Sequence, residues 1–92
     1  MTRMRNSFVE MTFRNGRPVA GYLYLPRREG DVSVRQERRV AGMIIDYACD
    51  GRPIGIEFTS VTNVSLDAIN AVLSEVNEEP ATAAQVAPLM VA

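Results

Sequence analysis

The sequence predicts an α+β fold: an antiparallel meander sheet of four to five strands with one C-terminal amphipathic helix packed on one face. Three observations predict it. Apolar and polar residues alternate with the period of half-buried strands through most of the first sixty residues. Asn15-Gly16 and Asp50-Gly51 are turn pairs that fold such segments back on themselves. From Leu66 the apolar period becomes helical.

The elements follow in order. In Phe8–Phe13, Val9, Met11 and Phe13 share one side while Glu10 and Thr12 take the other, which is a strand pattern. After the Asn15-Gly16 turn, residues 19–25 (VAGYLYL) return as a second strand that ends before Pro26. Residues 26–31 read as a loop, 32–36 (VSVRQ) as a short strand, and 36–39 (QERR) as a turn or solvated edge. Residues 40–48 form the most apolar strand and are expected at the centre of the sheet. The Asp50-Gly51 turn leads into a return strand, residues 53–59. Leu66, Ile69, Val72, Leu73 and Val76 then form one apolar stripe over a helix in residues 65–77. Ser65 is its N-cap and Asp67 an acid in its first turn, while Asn77 and Pro80 suit its end. Residues 1–79 thus make a single β-rich domain, and residues 80–92 a mobile tail whose APLMV segment can dock on a partner or on the helix.

A two-residue Asp50-Gly51 turn pairs Cys49 with Arg52, Ala48 with Pro53, Tyr47 with Ile54, Ile45 with Ile56, and Met43 with Phe58. The last three pairs are apolar and share a face. Asp46 then lies opposite Gly55 and Ile44 opposite Glu57 on the other face. Turn chemistry and apolar pattern specify the same pairing. Residues 15–25 echo this hairpin if a β-bulge at Ala20-Gly21 supplies one extra residue.

Composition excludes several classes. With 47% hydrophobic and 23% charged residues, the chain is globular in type. No run approaches a membrane span, and the first eight residues lack the apolar core of a signal peptide. One cysteine, Cys49, permits no internal disulfide and fits a cytoplasmic location. The absence of histidine removes catalytic triads and the usual zinc sets. Glycine-rich phosphate loops are absent too, so no cofactor is expected. All ten basic residues are arginines lying between Arg3 and Arg52, and the five acids beyond them meet no base. A chain so divided can bind a second copy of itself, or present a basic surface.

The stretch Asp46–Phe58 resembles a family of small prokaryotic proteins, domain of unknown function 2283. Asp46, Tyr47, Asp50, Gly51, Gly55, Ile56, Glu57 and Phe58 carry the likeness. Arg14 stands where the family commonly has an acid, and Ala48-Cys49 where it commonly has an acidic pair. The resemblance implies a small β-rich fold with a helix, no assigned activity, and an antitoxin-like or partner-binding role.

Four candidate sites remain. Asp46 and Glu57, diagonal neighbours on one face, are candidates for acid/base chemistry or for holding a divalent cation. Arg27, Arg28, Arg35, Arg38 and Arg39 are candidate phosphate contacts for a nucleic acid, with Tyr22 and Tyr24 able to stack bases. Leu23, Leu25 and Ile44 are expected on the face away from the helix, as an interface for a homodimer or a small protein partner. Cys49 beside Arg52 is a candidate thiolate. Non-catalytic protein binding is the expected function.

Overall fold

A computed structural model describes residues 8–39, 42–61 and 64–90. Its elements are β1 (Phe8–Arg14), β2 (Arg17–Tyr24), β3 (Arg35–Arg39), β4 (Met43–Tyr47), β5 (Pro53–Phe58), α1 (Leu66–Glu75) and α2 (Ala87–Met90). The five strands form one antiparallel sheet in the order β1-β2-β5-β4-β3. The α+β class is as expected. The order departs from a meander at one place, because β2 pairs with β5 and not with β3.

Burial explains that choice. β5 buries Ile54, Gly55, Ile56 and Phe58 and takes the centre, while the charged RQERR segment becomes β3 on an edge. β4, expected at the centre, lies beside it and is buried along its whole length. Residues 36–39, expected as a turn or solvated edge, belong to the edge strand β3. The strand expected at 32–36 is corrected, since β3 begins at Arg35 and Val32 and Val34 are exposed outside it. Polar cross-strand contacts sustain this strand where apolar ones are lacking. Gln36 reaches Asp46, and Glu37 reaches Tyr47. The expected start of the β4 segment, residues 40 and 41, lies outside the described residues.

Both hairpins carry one residue more than simple pairing allows. Asn15 (φ 52°) and Gly16 (φ 76°) make the expected two-residue turn between Arg14 and Arg17. The extra residue is Val19, between the pairs Phe13–Pro18 and Thr12–Ala20, and not Ala20-Gly21. In the second hairpin, Gly51 N–H donates to Ala48 C=O and Ala48 N–H to Arg52 C=O, with Gly51 at φ 90°. The loop is therefore the three residues Cys49-Asp50-Gly51, not two. Tyr47 consequently faces Pro53, and Ile54 is the compensating extra residue. Beyond it the expected register returns, with Asp46 opposite Gly55, Ile45 opposite Ile56, Ile44 opposite Glu57 and Met43 opposite Phe58.

One face of the sheet packs on the helices. Ser65 Oγ accepts from Ala68 N–H at the start of α1. At its end Asn77 (φ 60°) donates to Ser74 C=O and Glu78 to Leu73 C=O, which is a Schellman termination. Ile69, Val72 and Leu73 join Ile45, Ile56 and Phe58 in the core. Leu23 and Leu25 belong to the same cluster, so their expected place on the opposite face is corrected. Pairing sets this: Leu23 opposes Ile56, which opposes Ile45, in one row across the sheet. Ile44 does lie on the other face, opposite Glu57, yet it too is buried.

The tail expected to be mobile packs on the domain. Asn70 on α1 donates to Ala81 C=O and accepts from Ala81 N–H. Thr82 and Gln85 bond each other's backbone N–H reciprocally, a capping box. Val86 and Leu89 then enter the core, and α2 packs on β1. Gly21 admits α2, since a Cβ there would lie 2.8 Å from Leu89 Cδ2.

Candidate functional site

The face away from the helices carries the polar cluster. Register places Glu10, Tyr22, Glu57, Ile44 and Arg38 in one row, and Tyr24, Gly55, Asp46 and Gln36 in the next. Gly55 has no side chain between Tyr24 and Asp46. The Tyr22 ring lies across that gap, and its O–H donates to Asp46 Oδ2 at 2.6 Å.

Asp46 is only 6% exposed. Besides Tyr22, it accepts from Ser33 Oγ at 2.9 Å and Gln36 Nε2 at 2.8 Å, both at Oδ1. Three neutral donors from three chain segments thus satisfy one buried carboxylate. Burial, and next the hydrogen bond to Asp46, push the Tyr22 phenol well above its ordinary pKa. The phenol remains a donor across the whole neutral range.

Arg27 closes the cluster from above β2. Its Nε donates to Ile54 C=O at 3.1 Å and its Nη2 to Tyr22 Oη at 3.1 Å. Its guanidinium lies 4.9 Å from the Tyr24 ring centre and 5.9 Å from that of Tyr22. The two rings meet edge to face, 4.7 Å apart. Tyr24 donates to Glu10 Oε1 at 3.2 Å, and its phenol is raised by burial and by that carboxylate.

The sequence-predicted residues separate on this framework. Arg27 joins Tyr22, Tyr24 and Asp46. Arg28 lies in the loop after β2, where its N–H donates to Asp31. Arg35 and Arg39 take the helix side of β3, and Arg38 takes the opposite side. Arg35 stacks 3.9 Å over the Tyr47 ring and pairs with Glu37, while Arg39 pairs with Glu37 at 2.6 Å and Glu75 at 3.8 Å. The five arginines expected to meet phosphates therefore form no single patch.

Glu57 and Asp46 share the polar face as expected, but their environments differ. Asp46 spends both oxygens on donors, and Glu57 makes no hydrogen bond or ion pair among the described residues. No group of three or more histidine, cysteine or acidic residues converges among the described residues. Cys49 is exposed in the hairpin loop. Arg52, expected beside its thiol, is held elsewhere: Asp31 binds it through both oxygens at 2.8 and 3.1 Å, and Asp50 at 2.6 Å. The Arg52 guanidinium, then Arg28 N–H, lower the Asp31 carboxyl to about 2, and Arg52 also lowers Asp50.

Sequence reasoning missed Ser33, Gln36 and Tyr22 as partners of Asp46. Gly55 opposite Asp46 was the available signal, because a side-chain gap beside a buried acid invites a long donor from the next strand. A shallow depression of about 360 Å³ on the helix side, lined by Asn70, Ser74, Asn77, Glu78, Glu79 and Pro80, is remote from this cluster. Among the described residues, no helix is long and apolar enough to cross a membrane. Comparison with protein-family models, with curated proteins and with solved structures finds no match to this chain.

Proposed function

We propose that the protein is a non-catalytic binding module that works through protein contacts and self-associates as a homodimer. The observation that carries this reading is Phe13, which is 61% exposed on β1, an edge strand of the sheet. An aromatic ring on an unpaired edge is a liability for an isolated domain and an asset for one that pairs. The polar face supports the same reading from the other side. Its buried acid is bonded to neutral donors, and Arg27 is spent on Tyr22, Tyr24 and a backbone carbonyl, so these groups hold the sheet together.

Sedimentation velocity over a wide concentration range tests the reading. The expected result is a mass that rises towards twice the monomer. A strict monomer at the highest concentration reached overturns it.

A further inference from the structure

We propose that two copies pair antiparallel along β1, centred on Thr12, so that their sheets join into one. This rests on the homodimer reading above and specifies the surface that forms it.

Among the described residues, β1 and β3 are the two edge strands of the sheet. β3 is guarded. Glu37 already pairs with both Arg35 and Arg39, and it also accepts from Tyr47. β1 offers Met11 and the exposed Phe13 on one side, and Glu10 and Arg14 on the other. The extra residue of its hairpin, Val19, lies in β2, so alternation along β1 is unbroken. Arg14 and Arg17 flank a two-residue turn and form its hydrogen-bonded pair, so by alternation Phe13 and Met11 direct their N–H and C=O groups outward. Pro18 agrees with this, since it faces Phe13 and has no N–H to give.

In a continuous sheet, opposed residues must share a face, so only registers that match even with even and odd with odd are allowed. Centring on Glu10 sets that carboxylate against its own copy. Centring on Met11 leaves Glu10 against Thr12. Centring on Phe13 sets Arg14 against Thr12. Centring on Thr12 places Arg14 opposite Glu10 of the second copy, twice by symmetry, and Met11 opposite Phe13 of the second copy, also twice. Thr12 meets its own copy, a favourable cross-strand pair.

Arg14 supplies an independent reason. Within its own hairpin it lies directly opposite Arg17, and like charges so placed repel. Neither arginine forms an ion pair among the described residues. Glu10 of the second copy provides the missing acid. Tyr24 O–H holds Glu10 by Oε1 and leaves Oε2 for the incoming guanidinium.

Charge exchange tests the register, because Glu10 and Arg14 are both exposed and their replacement spares the core. Glu10→Arg alone and Arg14→Glu alone should each weaken self-association about tenfold, measured by sedimentation velocity at low salt. The double variant should dimerise like the parent. An equimolar mixture of the two single variants should also dimerise like the parent, because every cross-strand pair is then complementary. If the parent dimerises and neither single variant weakens it, the β1 register is overturned while the homodimer stands. The same holds if the mixture stays as weak as its components. A strictly monomeric parent overturns both.

Discussion

Tyr22 and Asp46 meet across β5 at 2.6 Å, although one stands on β2 and the other on β4. Their contact is possible because the intervening residue is Gly55, and a Cβ there would collide with the Tyr22 ring. The hydrogen bond thus spans three strands and ties the centre of the sheet.

Gly55→Ala should displace Tyr22 and break that bond. The ring end can swing away, so the main cost is a buried carboxylate deprived of one donor, about 1–3 kcal/mol. Urea denaturation of the variant checks the value. Tyr22→Phe should cost a similar amount, and combining the two should cost less than their sum, because both remove the same bond.

Alkaline pH should destabilise the protein through the same residue. Burial and Asp46 raise the Tyr22 pKa on folding, so folding favours the protonated phenol. The sign follows: this contribution is complete below the unfolded value of about 10 and is lost as pH rises through the higher folded value. The urea midpoint should therefore fall above about pH 10. Tyr22→Phe should flatten this slope, leaving the smaller contribution of Tyr24.

Acid should act on the ion pair that joins the loop after β2 to the β4–β5 hairpin. Asp31 has a folded pKa of about 2, lowered by Arg52, against an ordinary value of 3.8. Its contribution is present above the ordinary value and fades as pH falls towards about 2. Asp31→Asn should remove that part of the acid limb, and added salt should shrink the difference between variant and parent because the pair is only partly buried.

Asn70→Ala should release the C-terminal segment. Two backbone groups of Ala81 lose their partner, at a cost of about 1–3 kcal/mol. Hydrogen exchange should accelerate over residues 81–89 more than over β4 and β5. Uniform acceleration over the whole sheet would mean that this segment unfolds only with the rest.

Much of the architecture was legible along the chain because it depends on short-range rules. Strand alternation, the positive φ of Asn15 and Gly16, and the cap at Ser65 each involve residues a few positions apart. The register at Met43–Phe58 was legible too, since only one pairing buries Ile45, Ile56 and Phe58 together. The loop length was not. Gly51 serves a two-residue or a three-residue turn equally well, and Ile54 could absorb the difference only once the strands were paired.

The candidate site was half legible. Asp46 stood out as an acid in an apolar strand, but its partners come from residues 22, 33 and 36, none of them local to it. Leu23 and Leu25 were expected on the face away from the helix, as an interface. Pairing β2 with β5 turned both into core.

The division between the two sources of information is physical. Periodicity and turn chemistry determine which segments are strands, where the helix begins and which side of each strand is apolar, because these follow from bonded geometry and local burial. Which strand sits beside which is a competition among all edges for the most buried surface. That competition put β5 at the centre, charged β3 at one edge and β1 at the other. The tertiary structure alone decided that Asp46 would be enclosed by neutral donors and that Phe13 would remain in solvent.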